Sequence, residues 1–504
     1  MSSNDIGVTT TDGLQYLVNI TLGGQDFVVV LDTGSSDLWV DARGIDVKLT
    51  NATALNASLV YGRGQVEGNI AFAELKVGEY VVPSQAFIDA TEVTDMPAGA
   101  QGILGMAFDN ARIANTLQMA WGAEAAEQLG RAFITNIFAT NSSIPNNFDV
   151  QLGRVDGPND VSTGTFIVSA HETGYEDVMD APKLPRVSPE HWSIVLDEMR
   201  IDGDAFTFNK SSVSGVPQGK VVAVLDTGFS LPPLPPAAVD AIYSKIPGAA
   251  FWTSPIINSW IIPCDSIPDL SFVFGGKEYP VHPLDLSLPQ VIPILDSGAE
   301  KNVTVCVATY QYLTLDPTQF AGFDLILGDA FLRSVYASFD YGDYNPTNHT
   351  TGTPFVQMVS TVDPHSAVDE FREGRAEQLA QLPPTIDPSV FVKAPLSPSI
   401  TGQANATSTD SVGSGGARGA LSEDNEDSDP YNGALGKKWG VVVLALLGAN
   451  LLVGILIFAV TLTMCVRGVK GKGRDLGSRY TPVRFKDVAD NDPEGGSLAR
   501  YSDH

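Results

Sequence analysis

The chain has 504 residues, 43% of them apolar, with 30 basic residues against 59 acidic ones and a formal net charge of −29. That apolar share excludes a wholly disordered chain, and the acidity, which repels phosphates, excludes nucleic acid as a partner. Three cysteines (Cys264, Cys306, Cys465) without a CxxC pair, and six histidines without an HExxH, point away from a metal centre, so no metal or cofactor is expected.

In chain order, Tyr16, Val18, Ile20 and Leu22 alternate with Asn19 and Thr21, the period of a half-buried strand. Phe27 to Leu31 is an apolar run ending at Asp32. Residues 12–361 continue as short apolar and β-branched runs broken by Gly, Pro, Asn and Asp, so the class is mainly β. Helical pattern is confined to Ile113–Phe138 and to Pro236–Ile246, the second with proline at its start.

Residues 362–438 change character. VDPHSAVDEFREGRAEQLAQ reads as a short helix, and from Pro383 the composition is too polar to order itself. The segment is expected to be a disordered stalk, of which roughly 55 residues reach on the order of 40 Å. Gly440 to Val466 is uncharged throughout, long enough for a tilted transmembrane helix and an anchor in a lipid bilayer. The tail 467–504 has net charge +2, leaving −31 for residues 1–466. The positive-inside rule puts that basic tail in the cytosol and the rest outside or in a lumen. Asn19, Asn51, Asn56, Asn141, Asn209, Asn302, Asn348 and Asn405 begin N-x-S/T sequons, all on the expected outer side, and are expected to be glycosylated. No apolar signal region follows Met1, so a preceding signal peptide and propeptide are expected.

One pattern occurs twice. Val28-Val29-Val30-Leu31-Asp32-Thr33-Gly34-Ser35 returns as Val221-Val222-Ala223-Val224-Leu225-Asp226-Thr227-Gly228-Phe229, 194 residues later. Each copy has a later partner, Gly102-Ile103-Leu104-Gly105 or Leu325-Ile326-Leu327-Gly328. A lone D-T-G arises by chance on the order of 0.1 times in such a chain; two copies with matched strands and partners indicate two homologous lobes.

The chemistry of the pattern is legible. An apolar strand delivers a carboxylate to the lobe interface, glycine lets a backbone N–H approach it, and threonine offers a hydroxyl to lock one loop to the other. Two such loops face to face hold carboxylates about 3 Å apart, where both cannot ionise. The ionised member can take a proton from water while the protonated member polarises a carbonyl.

These residues resemble the pepsin-like aspartic peptidases over nearly all of residues 12–361. Tyr61-Gly62-Arg63-Gly64 is similar to the family's flap, Trp39 to the tryptophan that holds the flap tyrosine, and His191-Trp192-Ser193-Ile194 to the strand linking the lobes. Ile326–Arg333 is similar to the C-terminal signature. The resemblance implies a bilobal double-β-barrel fold with pseudo-twofold symmetry, an N-terminal lobe over 12–190 and a C-terminal lobe over 191–361. It also implies a catalytic pair of Asp32 and Asp226, a Cys264–Cys306 disulfide, protein or peptide substrates and a monomeric ectodomain. Substrate would meet Tyr61, Gly62, Arg63, Gly34, Gly228 and Phe229, with Trp39, Ser35, Thr33 and Thr227 in support.

Two positions depart from the family. Phe229 stands where a hydroxyl residue usually bonds the second aspartate, which should make Asp226 harder to ionise. Arg63 either disfavours basic residues in the adjacent substrate pocket or points to solvent. Leu295-Asp296-Ser297-Gly298 is read as a turn. The expected activity is acid endopeptidase, at the cell surface or in an acidic vacuole; the alternative is a pepsin-like protein that binds in the cleft without cutting.

Overall fold

The computed structural model describes residues 5–397, except 11–12, 97–98, 110, 142, 156–160, 254–257, 314–320, 343 and 346–349. The alternating segment forms the strand Leu17–Leu22, with Tyr16, Val18, Ile20 and Leu22 buried and Asn19 exposed. Gly23 and Gly24, at φ 56° and 83°, turn it into Gln25–Asp32, since a two-residue hairpin with both residues in the left-handed region suits glycine. The sheet continues through Gly102–Gly105, Leu38–Val40, Tyr80–Thr94 and Gln65–Val77. It closes where Thr21 and Leu22 pair with Lys76 and Leu75. Six strands thus form a barrel without free edges inside the ring, and Leu49–Val60 adds outside it on Gln65–Val77.

The second half places Val221–Leu225 between Ser193–Leu196 and Leu325–Leu327. Two four-stranded antiparallel sheets surround this trio, and Cys264 is bridged to Cys306 with Cα atoms 5.2 Å apart. The bridge joins neighbours, since Ile262 already pairs with Cys306.

A shared sheet joins the halves, in the order Leu184–Pro185, Phe355–Ser360, Val335–Asp340, Asn147–Gln151, Ser162–Val168 and Val8–Thr10. Val8–Thr10, ahead of the expected start at residue 12, thus belongs to the folded unit. At its centre Phe148 and Phe339 stack at 4.8 Å, and Trp192 packs on Tyr341 at 4.8 Å. The Trp192 indole N–H and the Tyr341 hydroxyl both donate to the carbonyl of Met106, tying this aromatic core to the chain just beyond Gly105.

The expected helical stretches are present as Arg112–Trp121, Ala123–Leu129 and Phe133–Thr140, and as Pro236–Tyr243. The stalk expectation is corrected. Residues 362–397 pack on the second half as a strap: helix Ala367–Ala380 buries Phe371 and Arg375, and helix Pro388–Phe391 buries Phe391 against Trp252 at 5.0 Å. Backbone bonds such as Ile386 N–H to the Thr304 carbonyl and Leu295 N–H to the Pro395 carbonyl fasten it to the 287–308 hairpin. Composition misled here because a few apolar anchors, widely spaced in polar sequence, suffice when a preformed sheet receives them. Among the described residues no helix is long and apolar enough to cross a membrane. The 398–438 remainder of the stalk, the 440–466 run, the 467–504 tail, Cys465, Asn348 and Asn405 lie outside the described residues.

Candidate active site

Each aspartate ends a buried apolar strand held parallel to the strand of its partner motif. Leu31 pairs with Leu104 and Asp32 with Gly105; Leu225 pairs with Leu327, and the Asp226 N–H donates to the Leu327 carbonyl at 3.1 Å. The partner glycines have a steric cause. A Cβ on Gly105 would lie 2.7 Å from the Asp37 nitrogen, and one on Gly328 would collide with the backbone of Phe229. Only glycine lets each second strand pass that close behind its aspartate loop.

The loops are locked reciprocally. The Thr33 N–H donates to Thr227 Oγ1 and the Thr227 N–H to Thr33 Oγ1, both at 3.0 Å. Each hydroxyl then donates to the other lobe's strand, Thr33 to the Leu225 carbonyl at 2.8 Å and Thr227 to the Leu31 carbonyl at 2.6 Å. Both threonines are buried, so four mutual bonds satisfy groups that would otherwise be costly.

This lock sets the carboxyls face to face. Gly34 N–H donates to Asp32 Oδ1 and Gly228 N–H to Asp226 Oδ1, each at 2.8 Å. A Cβ on Gly34 would strike the Asp226 carboxyl, and one on Gly228 the Asp32 carboxyl, so each loop's glycine leaves room for the opposite aspartate. The carboxyls lie within hydrogen-bonding reach of one another. Asp226 as a whole residue is partly exposed, but its carboxyl is enclosed. Burial first, and then the charge of Asp32, push its pKa well above the ordinary carboxylate range, against the pull of the Gly228 and Gly34 N–H groups.

The surroundings are unequal. Ser35 Oγ donates to Asp32 Oδ2 over a short contact. In the second loop Phe229 packs toward Val222, Val224, Phe323 and Ile326, and the following Ser230 turns its hydroxyl to the Leu14 carbonyl. No hydroxyl of that loop reaches Asp226 among the described residues.

Tyr61, Gly62, Arg63 and Gly64 form the tip between Leu49–Val60 and Gln65–Val77, closed by Tyr61 N–H to the Gly64 carbonyl at 3.0 Å. Tyr61 packs beside buried Trp39. Its hydroxyl is raised well above the ordinary range, by burial first and then by the charges of Asp32 and Asp37, while Trp39 and Ser35 pull it down. Those two groups are near but poorly aligned, since neither the Tyr61 hydroxyl nor the Trp39 indole N–H makes a well-formed hydrogen bond. Arg63, half-buried, pairs with Asp95 at 3.1 Å, so its charge has a partner.

A family model described as "Eukaryotic aspartyl protease" matches residues 15–346. The chain belongs to that family. By family it is an aspartic-type endopeptidase. Its relatives include the vacuolar aspartic protease of Candida albicans, 27% identical over 67% of this chain and 75% of the relative. Cathepsin D of Dictyostelium discoideum is 25% identical over 67% of this chain and 84% of the relative. The crystal structure of the aspartic proteinase from Irpex lacteus superposes with a TM-score of 0.53 over 72% of this chain and 99% of that one, at 19% identity, which establishes the shared fold.

Asp296-Ser297-Gly298 is the turn of the 287–308 hairpin, with Ser297 and Gly298 at φ 54° and 84°. His191 donates from Nδ1 to the Gly34 carbonyl at 3.2 Å, bracing the first loop from the linking strand. Asn19, Asn51, Asn56, Asn141, Asn209 and Asn302 are exposed.

Sequence reading passed over two supports. Asp37 accepts from the Arg112 and Ile113 N–H groups at 2.8 and 2.9 Å, capping a helix whose own N-cap side chain makes no bond. Behind the second loop, buried Asp285 takes Arg333 at 2.6 Å and Arg154 at 2.5 Å, which hold its carboxyl below the usual range despite burial. Arg333 closes the C-terminal signature, but nothing in the spacing named Asp285, 48 residues away, as its partner.

Proposed function

We propose that Asp32 and Asp226 act as one acid–base pair that hydrolyses internal peptide bonds through an activated water. The observation that carries this is their unequal environment. Both carboxyls are enclosed and each accepts its own loop's glycine N–H, but only Asp32 also accepts a hydroxyl, from Ser35, while burial and its neighbour push Asp226 up. The pair shares one proton and titrates as a unit, and the Ser35 hydroxyl, which serves the ionised form of Asp32, favours the arrangement with that proton on Asp226. Ionised Asp32 accepts a proton from water, whose oxygen attacks the substrate carbonyl. Protonated Asp226 donates a hydrogen bond to that carbonyl oxygen as charge develops there. Collapse of the tetrahedral intermediate returns a proton to the leaving amine. Pepsin is the known instance of such proton sharing.

Substrate would lie extended beneath the Tyr61 flap, against Gly62, Arg63, Gly34, Gly228 and Phe229, with Trp39, Thr33 and Thr227 holding the frame. Because Asp95 neutralises Arg63, we expect Arg63→Ala to change the preference for basic residues beside the scissile bond by no more than about fivefold, as surface pairs contribute little. Profiling cleavage of a peptide library checks this. The reading extends to an acid optimum, glycosylation of the exposed sequons, the cell surface or an acidic lumen, and anchoring through residues 440–466. The vacuolar names of relatives and the −29 charge, whose self-repulsion protonation relieves, support the acidic setting. Binding without cleavage finds support in Phe229 alone.

The test is hydrolysis of a denatured protein at acid pH by the purified protein, with and without pepstatin, beside Asp32→Asn. Pepstatin-sensitive cutting, absent in the variant, is expected; an uncut substrate would leave the binding-only reading.

A further inference from the structure

A second feature of the C-terminal half lies outside the aspartate pair. Helix Pro236–Tyr243, strands Ala250–Thr253 and Asn258–Ile262, and the short strand Gln311–Tyr312 line a shallow, open hollow of about 710 Å³. Three aromatic rings line it: Phe251, 42% exposed, lies 5.5 Å from Trp260 and 5.9 Å from Tyr312, at interplanar angles of 62° and 68°. In their midst is Asp240. Its Oδ1 accepts from the Tyr312 hydroxyl at 2.6 Å and from the Trp260 indole N–H at 3.0 Å. Its Oδ2 has no partner among the described residues, and none of the cation–ring contacts there involves these three rings.

We propose that this pocket is a distal specificity site that takes a basic side chain, lysine or arginine, of the polypeptide substrate. The chemistry is complementary on both counts. Ring faces attract a cation and accept its aliphatic stem, and a carboxylate oxygen already oriented by two donors awaits a charge. A purely apolar side chain would leave Oδ2 facing hydrocarbon. The placement suits a substrate. Leu234, paired directly with Tyr312, is eight residues beyond Asp226, and eight extended residues span at most about 29 Å. Leu234 thus lies no more than about 29 Å from Asp226, a separation that an extended substrate segment of about eight residues matches. The register of that contact rests on the proposed cleavage site; the pocket's preference for a cation does not.

The experiment is a positional scan with the full chain. Quenched fluorescent peptides of neutral sequence carry a single lysine or a single norleucine at successive positions away from the cleaved bond. Lysine at one position is expected to lower KM about fivefold relative to norleucine, with kcat unchanged. Asp240→Asn, which keeps an oxygen to accept from Tyr312 and Trp260, should abolish that advantage and cut the neutral peptide as well as the parent does. Equal KM values at every position, a norleucine preference, or a lysine advantage that survives Asp240→Asn would overturn the proposal. Fluorescence anisotropy of the same labelled peptides on Asp32→Asn measures binding without turnover. If no peptide is cut, the cleavage reading fails, and a lysine-dependent Kd difference there still decides for or against the pocket.

Discussion

The two aspartate loops share a plan and differ in one shell. Both end a strand pinned by a later apolar-apolar-Gly motif, both give a glycine N–H to their own carboxylate, and both trade threonine bonds with the other. Only the first adds a hydroxyl, Ser35, to the outer carboxylate oxygen; the second spends that position on Phe229 in the lobe's apolar cluster. The comparison teaches that geometry and protonation are separable. Threonines and glycines make the pair symmetric in space, while the exchange of Ser35 for Phe229 makes its hydrogen bonding unequal.

The spatial half of that statement breaks most visibly at the lock. Thr33→Val or Thr227→Val deletes two buried hydrogen bonds and orphans a backbone N–H and a carbonyl in the opposite loop. Each is expected to cost about 2–4 kcal/mol of stability, nearly equally, measured by denaturant unfolding. Unequal costs would show that the lock is less symmetric than its bond lengths.

The charge half is sharpened by exchanging the odd residues. Ser35→Ala removes a donor from ionised Asp32, so the acid limb of the pH–rate profile should move up. Phe229→Thr offers Asp226 a donor and should move it down. The second change also empties a partly buried ring position beside Val224 and Ile326, so about 1–3 kcal/mol of stability should be lost with it. Limbs that stay fixed in both variants would remove the asymmetry from the account.

A smaller effect concerns the strap. His282 is buried; its Nδ1 accepts from Leu284 N–H and its Nε2 faces Glu370 of the strap helix at 3.2 Å. Burial, with Arg154 nearby, depresses its pKa below 6.5, and Ser366 and His282 depress that of Glu370. A base held neutral contributes stability above its unfolded pKa, lost as pH falls through the folded value, and a depressed carboxyl has the same sign. His171 has the opposite sign. Its bond to Asp149 raises its pKa above 6.5, so its contribution is present below 6.5 and lost as pH rises through the folded value. Amide protection, taken relative to the intrinsic exchange rate at each pH, should therefore fall in helix Ala367–Ala380 on acidification and in the sheet around Asp149 on the alkaline side.

Much of this was legible in the sequence because it is local or repeated. Period-2 alternation gave the Leu17–Leu22 strand, and the duplicated D-T-G with its partner motif gave the two loops and their pairing. The Asp37 cap and the Asp285–Arg333–Arg154 cluster were not, since they join residues far apart in sequence whose proximity only topology creates. The strap failed for a different reason: its anchors, Phe371, Arg375 and Phe391, are few, and their receiving surface is built elsewhere.

The central claim is that one proton serves both carboxylates. Its most direct measurement is kcat on a single fluorogenic peptide at acid pH for the parent, Asp32→Asn, Asp226→Asn and the double variant. Groups acting as one unit should lose about as much singly as together, on the order of a thousandfold or more in all three variants. Losses that multiply from single to double variant, or either single variant cutting at the parental rate, would contradict it.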